Sequence, residues 1–177
     1  NKINDEVIEV WLNILKKIPN SRLLLKSSTK KENDEFKKFI QKEHLEDRVI
    51  FLPTAKNFED HMNLYKNIDI ALDTFPWNGV TTTFEAIWMG IPVVTMKGYN
   101  FNSRCGESIN KNIQMSELIA KNKEDYVSKV LGLTSDIKKL LNIRKQIFNN
   151  ALSSPLFDTQ KFSNDFFKLI KNTQIKH

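Results

Sequence analysis

The chain of 177 residues is short of cysteine, histidine and long apolar runs, and each shortage excludes a class of protein. Cys105 is the only cysteine, which excludes a disulfide framework and a thiolate zinc site and suits a reducing, cytoplasmic setting. Three scattered histidines and no Asp-x-Asp pair give no metal-binding pattern, so we expect neither a metal nor another cofactor. No apolar run approaches the roughly 20 residues that span a bilayer, and no signal-peptide pattern begins the chain, so we expect no membrane span.

Motifs of several enzyme classes are missing as well. The sequence contains no GxGxxG, Walker A or GxSxG motif, which argues against a dehydrogenase, a P-loop hydrolase and a serine hydrolase. The net charge of +6 raises the question of nucleic acid. However, the lysines are spread over predicted helix faces and mixed with acids, and no basic stripe is interleaved with aromatics. We therefore expect no nucleic-acid partner.

What the chain does contain is a regular alternation of short apolar runs and amphipathic segments, within one expected domain over residues 1–177. Strands are predicted within 22–26, 48–52, 68–72 and 93–96, and helices over 5–18, 31–43, 58–65, 81–89 and 103–109. From residue 115 onward the chain is predicted to be helical, over 115–120, 123–131, 135–152 and 159–171. This order predicts an α/β fold with a Rossmann-like parallel sheet, helices on both faces and a helical C-terminal segment. Because the chain starts without methionine and almost at a helix start, we expect a fragment of a longer protein.

Residues 70–90 form the most informative stretch. They combine a buried strand, a loop of Pro, Asn and Gly, and a helix that opens on Thr81, Thr82 and Thr83. Backbone N–H groups and hydroxyls at a helix N-terminus, beyond a parallel strand, are typical of a phosphate site. The alternative is an ordinary threonine N-cap. Asp73, at the strand end, is expected to organise the turn rather than to act as a catalytic acid.

Three further side chains have both a functional and an ordinary interpretation. Glu85, one turn into the same helix, suits a ribose diol or merely complements the helix dipole. His61 and Lys56 lie near the loop after the second strand, where they contact a nucleoside or are plain surface residues.

Two basic residues have the same ambiguity. Lys2, before the first helix, suits a phosphate but is one lysine among many. Arg104 contacts phosphate or simply pairs with Glu107.

Several motifs of this chain resemble those of the protein O-GlcNAc transferase family, including its bacterial tetratricopeptide-linked members. The segment LDTFPWNGVTT at residues 72–82 is similar to the family pattern LDTxPxNGHTT. Further matches follow in the same order along the chain: EDH at 59–61, WMGIPVVT at 88–95, SR at 103–104 and SSPLFDT at 153–159. The resemblance covers essentially the whole chain. It implies the C-terminal lobe of a GT-B glycosyltransferase, which binds the sugar nucleotide.

The resemblance also implies roles for single residues. Lys2 matches the lysine on the diphosphate and is the expected catalytic residue, while Thr81 and Thr82 match the threonines at the phosphate-facing helix start. The remaining residues expected to bind nucleotide are Thr54 and Ala55 at the base edge, Lys56 and Glu85 at the ribose, His61 beside the nucleoside, and Val80 and Thr83 at the helix start.

The chain departs from the family pattern at three positions. Val80 replaces the usual histidine, Glu85 replaces an aspartate, and Leu64 stands where the animal enzymes have an arginine. These departures leave the choice of donor open.

The resemblance implies a metal-independent, inverting transfer of N-acetylglucosamine from a UDP-sugar to Ser or Thr of an acceptor protein. The acceptor is expected to meet the N-terminal part of the enzyme, so this lobe alone should bind UDP or UDP-sugar without turnover. Two alternatives stay open. One is a related enzyme with another sugar or acceptor, of the Asn-glucosyl or GDP-fucose type. The other is a non-catalytic nucleotide-binding or interaction module.

Overall fold

The structure, a computed structural model, describes residues 2–26 and 30–174. Eight helices and five strands lie in this part of the chain. In order they are α1 (Asp5–Lys17), β1 (Leu23–Leu25), α2 (Lys30–Lys42), β2 (Val49–Phe51), α3 (Phe58–Leu64), β3 (Ala71–Leu72), α4 (Thr81–Trp88), β4 (Val93–Met96), α5 (Cys105–Asn112), β5 (Ile119–Ala120), α6 (Lys123–Thr134), α7 (Ile137–Ser153) and α8 (Thr159–Gln174).

All strand pairs are parallel, which confirms the predicted α/β class. β1 pairs with β2, with Leu24 opposite Ile50, and β4 lies between β3 and β5 in a second group of three. Since parallel strands need crossover connections, each strand is followed by a helix before its partner begins. The carboxyl ends of paired strands therefore share one edge, where the loops that follow them meet.

Helices cover the strands and close the core. α4, α5 and α6 all pack against β4, whose Val93 and Val94 are almost fully buried. α1 packs on α6 because its apolar residues recur with helical spacing and bury Val7, Trp11 and Ile14. None of the helices within residues 2–26 and 30–174 is long and apolar enough to cross a bilayer.

The predicted helix over residues 115–120 is wrong. Ser116–Leu118 form a short 3-10 turn, and Ile119–Ala120 form the strand β5, whose residues pair with Thr95 and Met96 of β4. The three-residue spacing of the buried Met115 and Leu118 is that of a helix, but the preceding Gln114 has a φ of 58°, which ends helical geometry. The alternation of strands and helices thus continues one strand further than the sequence indicated.

Candidate functional site

Asp73, at the carboxyl end of β3, fixes the loop that leads to α4. Its buried carboxylate accepts hydrogen bonds from the Gly79 N–H at 2.7 Å and from the Thr95 hydroxyl at 2.7 Å, and its carbonyl accepts one from the Tyr126 hydroxyl at 2.9 Å. Burial raises the pKa of Asp73 to about 6, against the opposing effect of the bonds from Gly79 and Thr95. The side chain therefore acts as an internal brace, in the organising role expected from its position at the strand end.

Two glycines allow the backbone to approach this brace closely. A Cβ on Gly79 would lie 2.7 Å from the Thr82 hydroxyl oxygen, which ordinary Cβ atoms do not tolerate. A Cβ on Gly106 would overlap the Thr95 hydroxyl and lie 2.7 Å from the Asp73 carboxylate. Both positions therefore require glycine on steric grounds, which explains part of the glycine clustering in this region.

α4 begins without a cap from its own N-cap side chain. Val80 occupies the N-cap position, and within the described residues no side-chain hydrogen bond caps the helix there. Thr81 and Thr82 are exposed, whereas Thr83 is 3 % exposed, so its hydroxyl is turned into the protein. The first turn thus presents N–H groups, two hydroxyls and the positive end of the helix dipole.

Lys2 lies against the same loop. Its Nζ donates a hydrogen bond to the Asn78 carbonyl at 3.1 Å, and the Asn4 side chain donates one to the Phe75 carbonyl at 3.0 Å. Asn78 is itself buried and donates to the Thr74 carbonyl at 2.9 Å. The fold therefore brings a cation from the first residues of the chain to the loop that precedes α4.

His61 and Glu85 are in direct contact. His61 Nε2 lies 2.8 Å from Glu85 Oε2, and the Tyr65 hydroxyl donates to the same oxygen at 3.0 Å. His61 Nδ1 lies 2.9 Å from Lys26 Nζ. Burial, and next the neighbouring Glu85, raise the pKa of Tyr65 well above its usual value, so its hydroxyl stays a donor.

Sequence reasoning missed Lys26 and Tyr65. Lys26 directly follows β1, so it lies at the same sheet edge as the loop after β2, and that placement was readable from the strand order. Tyr65 follows His61 by four residues, a spacing that places both on one side of a helical turn. Neither signal is specific without the fold.

Thr54, Ala55 and Lys56 lie in the loop between β2 and α3. Thr54 and Lys56 are exposed and Ala55 is half-buried. The loop ends at Asn57, whose side chain accepts a hydrogen bond from the Asp60 N–H at 2.8 Å and so starts the helix that carries His61. The loop leaves β2 at the same edge of the sheet at which Lys26 follows β1, because the two strands are parallel.

Arg104 pairs with Glu107, which was one of its two predicted roles. The Arg104 Nε lies 2.7 Å from Glu107 Oε2, and Lys111 Nζ lies 2.8 Å from Oε1. These two cations lower the pKa of Glu107 to about 2.

Comparisons with known proteins point to one family. The profile described as glycosyl transferase family 41 matches residues 1–166. A relative from Solanum lycopersicum, named probable UDP-N-acetylglucosamine–peptide N-acetylglucosaminyltransferase SPINDLY, is 35% identical over 97% of this chain and 19% of its own length. The UDP-N-acetylglucosamine–peptide N-acetylglucosaminyltransferase of Caenorhabditis elegans is 31% identical over 96% of this chain and 15% of its own length. The chain thus spans less than a fifth of the length of these relatives.

Solved structures show the same similarity. A mutant O-GlcNAc transferase of Thermobaculum terrenum superposes with a TM-score of 0.88 and 28% identity, over 97% of this chain and 34% of that protein. The C-terminal domain of a group 1 glycosyl transferase from Francisella tularensis superposes with a TM-score of 0.66 at 18% identity, over 84% of this chain and 76% of that domain, and supports the fold alone. The fold is therefore that of a GT-B C-terminal lobe.

Proposed function

Because this chain belongs to glycosyl transferase family 41, we propose that it is the donor-binding lobe of a protein O-glycosyltransferase that uses UDP-N-acetylglucosamine. The observation that carries the proposal is the start of α4. It presents the exposed Thr81 and Thr82 and, among the described residues, has no side-chain cap, and the loop before it accepts a hydrogen bond from Lys2. The names of the relatives support the sugar and the peptide acceptor.

The proposed chemistry follows from charge at the leaving group. A nucleoside diphosphate gains negative charge as its bond to the sugar breaks, and donors fixed in advance stabilise that charge most effectively. Lys2, Thr81, Thr82 and the Thr83 N–H are the proposed donors, with no metal required. Val80 adds no polar group at this position, unlike the histidine of the family pattern.

The nucleoside is proposed to lie over the neighbouring edge of the sheet. Glu85 would accept from the ribose, and His61 would lie beside the base. The loop of Thr54, Ala55 and Lys56 would contact the base edge and the ribose, because it follows β2 at the edge where nucleotides bind in such sheets. The acceptor protein would meet parts of the enzyme outside this chain, so the isolated chain should bind donor without turnover.

The cellular setting and the domain boundary are part of the same proposal. We place the protein in the cytoplasm, where a chain with the single cysteine Cys105 stays reduced. The chain acts as one domain.

Calorimetry of the purified chain tests the proposal, with UDP, UDP-N-acetylglucosamine, GDP and GDP-fucose as ligands. We expect UDP and its sugar to bind, and the double variant T81A/T82A to weaken UDP binding about 100-fold, since it removes two hydrogen bonds to a charged group. The matched control is T159A/T173A, which removes two exposed threonines of α8.

Each other outcome has a defined meaning. Binding of GDP in preference to UDP would replace the proposed donor by the GDP-fucose type. If no nucleotide binds at millimolar concentration, the chain is a non-catalytic interaction module. UDP binding that survives T81A/T82A would refute the phosphate site at α4.

A further inference from the structure

Only one of the two oxygens of the Glu85 carboxylate is engaged in the described structure. Both donors, His61 Nε2 at 2.8 Å and the Tyr65 hydroxyl at 3.0 Å, contact Oε2. Within residues 2–26 and 30–174, no donor lies within hydrogen-bond distance of Oε1. The Glu85 side chain as a whole is 17% exposed. The two donors on Oε2 hold the Glu85 carboxylate in one orientation, and Oε1 remains as an acceptor.

In a neutral His61 ring, the contact with Lys26 selects one of the two tautomers. An ammonium group has only donors, so Lys26 must donate to Nδ1, and Nδ1 must carry a lone pair. The proton of the neutral ring then lies on Nε2, which donates to Glu85. Both ring nitrogens are therefore occupied by protein groups. His61 has only its ring surface to offer a base, in contrast to the hydrogen bond that a free histidine provides.

Tyr65 secures the same carboxylate from a second direction. Its ring lies 5.6 Å from the His61 ring in an edge-on arrangement, and its hydroxyl is buried against Glu85. Because burial, and next Glu85, raise the pKa of Tyr65, the hydroxyl stays protonated and donates to Oε2. Two donors from one turn of the chain thus converge on Oε2.

We propose that Lys26 and Tyr65 are positioning residues that orient Glu85 so that its Oε1 accepts a hydrogen bond from a ribose hydroxyl, which makes the site selective for ribonucleoside over deoxyribonucleoside diphosphates. This inference rests on the proposed nucleotide-binding function. Lys26 acts through His61, by keeping its proton on Nε2, and Tyr65 acts directly on Oε2. Neither residue needs to touch the nucleotide.

The test compares UDP with 2′-deoxy-UDP and 3′-deoxy-UDP by calorimetry. The unmodified chain should bind one deoxy analogue about tenfold more weakly than UDP, because that analogue lacks a hydrogen bond to a charged group. Y65F should reduce the ratio of the two dissociation constants, that of the weaker deoxy analogue over that of UDP, to about twofold. It should leave the affinity for the weaker analogue unchanged. The matched control is Y99F, since Tyr99 is 89% exposed and the hydroxyl that contacts Glu85 is that of Tyr65.

The second arm tests Lys26. K26M should lower the ratio as Y65F does, and K26R should restore it because it keeps a donor for His61 Nδ1. Nitrogen NMR of the imidazole supplies a direct signature. His61 should be protonated on Nε2 in the unmodified chain and in K26R, and divided between the two tautomers in K26M.

Failure of this inference is distinguishable from failure of the proposed function. If UDP binds and requires Thr81 and Thr82, but Y65F and K26M leave the ratio unchanged, the inference is wrong and the proposed function stands. Equal loss of affinity for UDP and both analogues would show that these residues only support the fold, which also refutes it. Absence of any nucleotide binding refutes both.

Discussion

The starts of helices α1 and α4 lie close together and are built in opposite ways. α1 is capped by Asn4, whose Oδ1 accepts the Val7 N–H at 2.9 Å, and its first turn carries Asp5 and Glu6. α4 starts after Val80, and within the described residues it has no side-chain cap there and no acid in its first turn. α1 thus carries its own cap and its own first-turn acids, whereas the proposed function assigns the start of α4 to a phosphate anion.

Under the proposed function, this difference separates a helix start that stabilises the fold from one that serves a ligand. α3, α6 and α7 follow the first pattern, with caps from Asn57, Asn122 and Asp136. A cap side chain at α4 would occupy the N–H groups that a diphosphate needs. Three changes break or sharpen this contrast, in order of decreasing effect.

Gly106→Ala should have the largest effect, because it disturbs the brace that fixes the loop before α4. The new methyl group would overlap the Thr95 hydroxyl and crowd the Asp73 carboxylate in a buried region. We expect a loss of about 3 kcal/mol in the free energy of unfolding, measured by urea denaturation. Gly132→Ala is the control, since no atom lies within 4 Å of its Cβ, and it should stabilise α6 by about 0.5 kcal/mol. Equal stability of both variants would contradict the proposed packing.

Val80→Asp converts the start of α4 towards the pattern of α1. The added carboxylate complements the helix dipole, so stability should rise by about 0.5 kcal/mol. It also repels a diphosphate, so UDP affinity measured by calorimetry should fall by more than about tenfold. Val80→Asn adds a cap without the charge, so it should lose some affinity by competing for the N–H groups, but less than Val80→Asp. If both variants bind UDP as tightly as the original chain, no phosphate lies at this helix start.

Asn4→Ala should have the smallest effect on UDP affinity, because it acts on stability instead. It removes the cap of α1 and the hydrogen bond to the Phe75 carbonyl, so the free energy of unfolding should fall by about 1.5 kcal/mol. Asn4→Asp retains the cap oxygen and should lose less stability. UDP affinity of both folded variants should stay within about twofold of the original. A loss of affinity as large as that of Val80→Asp would erase the distinction between the two helix starts.

Most of the fold followed from local patterns. Asn4 before an apolar stripe of period 3.6 predicted α1 within one residue of its bounds, and the short apolar runs predicted β1 to β4. β5 was not predicted, because a strand of two residues shows no periodicity and because the turn before it has the same spacing of apolar residues as a helix. Pairing with β4, which no local pattern encodes, makes Ile119–Ala120 a strand.

The candidate site was readable only in part. The three threonines after Asn78 and Gly79 are contiguous, so they indicated a helix start at a strand end directly from the sequence. The contacts of Glu85 with His61 and Tyr65 join segments 20 to 24 residues apart, and Lys26 is a further 35 residues from His61. Such contacts depend on how the parallel strands assemble, so residue types and spacing alone could not predict them.

The contacts that tie the first residues of the chain to the loop before α4 also have a kinetic consequence. Lys2 and Asn4 reach partners that are 76 and 71 residues away in sequence. Closing so long a segment costs chain entropy before the contacts form, which delays them relative to local structure. We therefore expect the surroundings of α4 to be completed late in folding. Nucleotide binding should appear together with global folding, and added nucleotide should raise the unfolding midpoint by mass action.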